Sequence, residues 1–261
     1  MKNVLVLLHD DAGLQSRIQV ALDMARCLDG QLWCLDLKMP LLAIGDDPLF
    51  GALLLEDIDS PAVDTDARAT IERSGVPFRW IERCGSLGPE VAECAEGADV
   101  VVLGSPRDSS WEVRGAVGRL LVKSGKPVVT VPAGTPGLKL DGHVALLWDG
   151  SEQAQHALSA AMPLLKHASR VTIVEVDDGS LRTPAAHVAN FLQHQGIENR
   201  IQAVLAGGEK AAYPIMEQIG LLDPGYVVMG GFGHPRLIEQ LFGGVTEHLL
   251  AECPVPLFLK H

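Results

Sequence analysis

Two kinds of residue in this chain of 261 residues have the chemistry to hold a polar ligand: glycines clustered where a strand meets a helix, which suit an anion, and carboxylates at strand ends, which accept hydrogen bonds from hydroxyls. The stretch MGGFGHPRLIEQLFGGVT, Met229 to Thr246, carries the first kind. Gly230, Gly231 and Gly233 follow the apolar run Tyr226 to Met229. Gly243 and Gly244 precede a helical pattern, Val245, Leu249 and Leu250, that stops before Pro254. The short β-branched run between Gly225 and Gly230 predicts a buried strand. Glycines at a strand end and a helix start let backbone N–H groups approach an anion, and the helix N-terminus adds its positive dipole end. His234 and Arg236 lie in the same loop, which Pro235 stiffens. Tight turns alone would account for any single glycine; the spaced set behind a strand is what points to an anion. The second kind of residue stands in Trp148-Asp149-Gly150-Ser151. A carboxylate there, at the C-terminal end of a strand, faces the crevice in which doubly wound sheets bind ligands. Ser151 is placed to cap the helix that follows.

Catalytic patterns are missing. There is no Gly-x-Ser-x-Gly elbow, no His-Glu-x-x-His and no Gly-x4-Gly-Lys-Ser/Thr loop, so no catalytic residue is assigned and the expectation is a protein that is not an enzyme. No metal ligands are assigned either: His187 and His194 share a predicted helix face with no acidic or thiol partner beside them. The five cysteines have neither metal-knuckle nor redox spacing, which predicts free thiols in a reducing cytoplasm. A formal charge of −12 argues against nucleic acid and anionic membrane as partners. A nucleotide is compatible with that charge if backbone dipoles hold its phosphates. The start, MKNVLVLLHDD, is too short an apolar run for a signal peptide or a membrane span, and reads as a first strand.

The elements that would position these residues occur twice. Setting Leu5 on Val144 aligns Asp10 with Asp149 at an offset of 139, and the same offset lays LWCLDL (32–37) on VTIVEV (171–176). Val101-Val102-Leu103-Gly104 matches Val227-Val228-Met229-Gly230 at an offset of 126, and Pro127-Val128-Val129 lies on Pro254-Val255-Pro256 at 127. The first copy therefore carries an insertion of about thirteen residues, assigned to Lys38–Pro61, with a short helix expected in it. Strands and helices alternate throughout, which implies a parallel sheet covered on both faces. The Gly-rich stretch Ala133–Gly142 reads as a linker between residues 1–132 and 143–261.

Gly230, Gly233 and Gly243 fall in the register Gly-x2-Gly-x9-Gly, which resembles the nucleotide-binding signature of the universal stress protein family. The repeat resembles the tandem members of that family. The resemblance implies an α/β fold of two tandem doubly wound five-stranded domains, Rossmann-like and similar to adenine nucleotide alpha hydrolases, paired antiparallel through their last strands. It implies an adenine nucleotide, ATP with Mg or AMP, in the C-terminal half. Asp149 and the backbone near Val176 would take the nucleoside. Gly150, Gly230, Gly231, Gly233, His234, Gly243, Gly244 and Val245 would surround the phosphates. The family has Ser or Thr after the last glycine; here Gly244 stands there, and the lost hydrogen bond weakens triphosphate binding about tenfold. In the first copy, Pro106 removes an N–H donor, the second glycine is absent, and ten residues rather than twelve separate Gly104 from Gly115, so no nucleotide is expected. The implied role is regulation of a stress response by binding, with association of two chains left open. Two alternatives stand beside it, an interaction scaffold without nucleotide and a slow ATP hydrolase.

Overall fold

Short β-branched runs form the interior strands, and the helices between them bury one apolar face each. The computed structural model describes residues 1–9, 11–38, 65–108, 111–177, 183–205, 212–231 and 244–261. The first half runs β1 (Asn3–Leu8), α1 (Leu14–Cys27), β2 (Gln31–Lys38), α2 (Thr65–Arg73), β3 (Phe78–Cys84), α3 (Leu87–Ala95), β4 (Val100–Gly104), α4 (Trp111–Arg119) and β5 (Val128–Val131). A π turn, Leu120–Ser124, extends α4. The second half runs β6 (His143–Trp148), α5 (Glu152–Leu165), β7 (Arg170–Asp177), α6 (Ala185–His194), β8 (Asn199–Leu205), α7 (Ala212–Leu222), β9 (Tyr226–Gly230), α8 (Val245–Glu252) and β10 (Leu257–Lys260). The expected inserted helix lies outside the described residues.

Among the described residues ten strands form one sheet in the order β3-β2-β1-β4-β5-β10-β9-β6-β7-β8. Both halves use the same internal order, and every pairing within a half is parallel. The halves join where the sequence leads one to expect, through an antiparallel pair with Leu257 opposite Thr130, Phe258 opposite Val129 and Leu259 opposite Val128. Two apolar cores lie on opposite faces. One is covered by α1, α2, α5 and α6, the other by α3, α4, α7 and α8. The outer strand β3 carries Arg79, Glu82 and Arg83, which discourages pairing at that free edge.

Register corrects the alignment of the two copies. Val4 pairs with Leu32 and Val100, and Val144 pairs with Val171 and Tyr226, so Val4 and not Leu5 matches Val144. The faces agree: Val4, Val6 and Leu8 share a core with Val144, Leu146 and Trp148. A one-residue slip would turn every side chain to the opposite face. His9, not Asp10, therefore occupies the position of Asp149; Asp10 itself lies outside the described residues. The last strands also shift. Pro127 O accepts from Val101 N at 3.0 Å and Pro256 O from Val227 N at 2.9 Å, which pairs Pro127 with Pro256. Strand β10 starts at Leu257, because Pro254 and Pro256 have no N–H to give a ladder.

Residues 133–142 carry neither helix nor strand and are pinned to α1. Leu138 N donates to Asp23 Oδ2 at 2.9 Å. Gly137 has φ 154°, and a Cβ there would lie 2.6 Å from the same oxygen, so only glycine passes. Among the described residues no helix is long and apolar enough to cross a membrane. The cysteines are free; burial pushes the Cys34 thiol up to about 12 and Cys253 up to about 11, which keeps both protonated and unreactive.

Phe258 is 1% exposed in the central seam and packs into a core that spans both halves. Phe258→Ala should cost about 3–4 kcal/mol. Urea denaturation checks the loss, and hydrogen exchange should report weaker protection of β1 and β6 alike.

Candidate functional site

Strand β6 ends at the point where the sheet order reverses, with β7 on one side and β9 on the other. This is the switch point at which open α/β sheets bind ligands. The last β6–β9 pair is Leu146 with Val228, so Trp148 and Gly230 stand two residues beyond it on their strands. Asp149 follows as an exposed residue. Its Oδ1 accepts from Ser151 N at 3.0 Å, and the rest of the carboxylate makes no hydrogen bond among the described residues. Gly150 turns the chain with φ 73°, a left-handed conformation that disfavours a side chain. Ser151 is the helix cap the sequence suggests: its Oγ accepts from Ala154 N at 3.1 Å.

On the β7 side the β6 ladder stops at Trp148 opposite Glu175, while β7 and β8 stay paired to Asp177. Val176 therefore lies one residue past the end of β6, with its side chain buried in the core on the second face. Two residues that sequence reasoning passed over close the other face. Trp148 Nε1 donates to Thr183 O at 2.7 Å. Glu175 Oε1 accepts from Ala185 N at 2.6 Å, which caps α6 with a carboxylate from a neighbouring strand. Nothing local in the sequence marks Glu175 as a cap, since it is ten residues away from Ala185.

The glycines divide by role. A Cβ on Gly230 would meet Ala154 N at 2.6 Å and Gln153 C at 2.8 Å, so this glycine admits the start of α5 against β9. Gly231 does not offer its N–H to a ligand. That group donates to Lys260 O at 2.9 Å, and Gly231 O takes His261 Nδ1 at 2.9 Å. That backbone bond to β10 leaves Gly231 N–H unavailable to an anion. Gly244 caps α8 without a side-chain bond, and a Cβ there would meet nothing within 4 Å. Val245, half-buried, opens α8. Gly233, His234 and Gly243 lie outside the described residues, as do Pro235 and Arg236.

The first half fills the matching place with its own side chain. Arg17, 1% exposed, donates from Nε to Leu7 O at 3.0 Å and from Nη2 to His9 O at 2.7 Å. Its Nη1 reaches both oxygens of Asp11 at 2.7 and 2.9 Å. Both carbonyls lie beyond the last β1–β4 pair, Val6 with Val102. The guanidinium thus occupies the strand end that ligands use in this class of sheet. In the second half the equivalent helix position holds Ala157, which is buried and too short to reach the strand end. The loop after β4 is also in use: Ser105 Oγ donates to Leu250 O and Arg107 Nη1 to Glu252 O, each at 3.4 Å. That loop holds the C-terminal carbonyls of α8, a helix of the other half.

No family model matches the chain, and no curated protein matches it. Solved structures match in fold. A universal stress protein from Archaeoglobus fulgidus aligns over 99% of this chain and 95% of its own, with TM-score 0.74 and 18% identity. A functionally unknown protein from Pseudomonas aeruginosa aligns over 100% and 92%, with TM-score 0.61 and 15% identity. The cytoplasmic domain of a prokaryotic cation chloride cotransporter aligns over 99% and 94%, with TM-score 0.54 and 12% identity. The chain thus has the Rossmann-like fold of a universal stress protein over its whole length; at these identities the likeness is one of fold.

Arg17→Met leaves Asp11 with Gly13 N alone and takes the donor from the carbonyls of Leu7 and His9. It should cost about 3 kcal/mol in urea denaturation, whereas His156→Ala on the exposed face of α5 should stay within about 0.5 kcal/mol of the parent.

Proposed function

We propose that this chain is a regulatory binding protein of the stress-response kind, acting in the cytoplasm, whose C-terminal half takes an adenine nucleotide. The N-terminal half takes none and serves as its structural partner. The observation that carries this reading is the contrast between the two switch points. At one, Arg17 is buried against the strand-end carbonyls. At the other, Asp149 presents an exposed carboxylate beside a glycine turn. A carboxylate in that place accepts hydrogen bonds from a ribose, and the start of α8 at Gly244 favours phosphate through its free N–H groups and dipole. ATP with Mg, or AMP, suits both ends of such a site. Binding that shifts a conformational equilibrium, rather than turnover, is the proposed activity.

A scaffold without nucleotide is the second reading, and one observation favours it. Gly231 N–H is already spent on Lys260, and Gly230 on close packing, so the cradle has fewer free donors than its spacing suggests.

Calorimetric titration with ATP and with AMP separates the two. Saturable heat is expected, with affinity weakened about tenfold in Asp149→Ala. Gly244→Ser, which has room for its side chain, should tighten ATP about tenfold. Absence of saturable heat at millimolar ligand in both the parent and Gly244→Ser would establish the scaffold.

A further inference from the structure

At the opposite end of the second half, the foot of β6, β7 and β8 gathers cations. His143 pairs in register with Arg170, and Thr172 with Arg200. Side chains two apart on a strand share a face, so Arg170 and Thr172 point the same way as their partners. His143 Nε2 lies 2.7 Å from Thr172 Oγ1, and Arg200 Nε donates to that same oxygen at 3.0 Å. His143 Nδ1 lies 3.1 Å from Leu222 O, the last residue of α7. A carbonyl only accepts, so Nδ1 carries the proton. The neutral ring then takes the Thr172 hydroxyl proton at Nε2.

One residue in this group is unaccounted for. Arg170 Nε is buried and makes no hydrogen bond. No carboxylate pairs with Arg170 or Arg200 among the described residues. Asp141, Glu198 and Asp223, beside these residues in sequence, are exposed, as is Glu217 on α7, and Glu175 on β7 is taken up by Ala185 N. Arg170 is half-buried and Arg200 exposed, so two guanidinia stand by one histidine with no described carboxylate paired to either, in a chain of net charge −12. Complementing the carbonyl end of α7 explains His143 alone, since that ring already holds Leu222 O.

We propose that Arg170, Arg200, His143 and Thr172 form a binding site for a tetrahedral oxyanion, phosphate or sulfate, at the end of the strands away from Asp149. Arg170 is the primary donor, Arg200 the second, and Thr172 and His143 position them. The state of His143 reports on occupancy. Burial lowers its pKa, the Leu222 carbonyl opposes that, and Arg170 and Arg200 lower it further. An anion between the guanidinia offsets their repulsion and raises the value. Binding therefore tightens as pH falls through the histidine range. The groups around the ring are Arg170 on β7 and Arg200 on β8, with Glu217 on the outer side of α7 and Asp223 beyond its end.

The test uses the whole chain and sulfate, whose charge is constant over this range. Histidine resonances are followed against pH in sulfate and in sodium chloride of equal ionic strength, with His143→Gln giving the assignment. Sulfate should raise the His143 midpoint in a saturable way, and Arg170→Gln or Arg200→Gln should weaken sulfate about fivefold or more. Arg170→Gln removes a half-buried guanidinium that has no carboxylate partner among the described residues, so the variant should fold; thermal unfolding checks that. Identical midpoints in the two salts, or unchanged sulfate affinity in both arginine variants, would overturn the proposal. Inorganic phosphate and glycerol 3-phosphate run side by side tell a free ion, with equal affinities, from the phosphate end of a larger ligand, with glycerol 3-phosphate tighter.

Discussion

Three antiparallel residue pairs between β5 and β10 decide the shape of this protein. Each half would otherwise end in a strand with one row of unpaired backbone groups, which is a template for association with any other edge. Pairing the two edges with each other removes both. It also continues each apolar core across the join, because Val129 and Phe258 lie on one face and Val128 and Leu259 on the other. Further ties follow from the same geometry. Lys260 Nζ donates to Gly125 O of the first half, and Ser105 Oγ donates to Leu250 O of the second.

A sheet with this internal symmetry has no need of equivalent strand ends. The interior positions of β1 and β6 obey the same constraint, burial on both faces, and are apolar in both. Beyond the last ladder pair that constraint lapses, and the copies diverge there. In the first, a longer turn and a buried Arg17 knit the strand end to α1. In the second, Gly150 makes the turn and Asp149 is left exposed. A guanidinium with carbonyl and carboxylate partners satisfies the backbone as a ligand would, at the cost of excluding one.

Much of the fold was legible in the sequence because strand cores declare themselves. The opening run forms β1, and the run Tyr226 to Met229 forms β9, as expected. The alignment of the copies went astray by one residue at β1 because aligning the two Asp residues was attractive, yet a side chain's identity counts for less than the face it points to. Leu5 belongs to one core and Val144 to the other. The shift at β10 was readable in principle, since Pro254 and Pro256 cannot donate to a ladder. The site was less legible. Glycine spacing says where a backbone bends, but not whether its N–H is free, and Gly231 spends its own on Lys260. Arg17 and Glu175 act at separations set by tertiary packing, to which periodicity is blind.

Helix α8 shows what the shared sheet implies for binding. It has only eight residues, fewer than an isolated helix needs, and Gly244 gives it no side-chain cap. Leu249 and Leu250 hold it to the core, and its last carbonyls rest on Ser105 and Arg107 from the other half. Its two ends therefore answer to different parts of the chain. An anion seated at Gly244 would supply what the missing cap does not, a contribution on the order of 1 kcal/mol. Whatever such a ligand gains from an ordered α8, the contact between Ser105 and Leu250 gains in return, because coupling free energy is reciprocal. A first half without a ligand of its own would thus have a physical route to the affinity of the second, through the far end of one short helix.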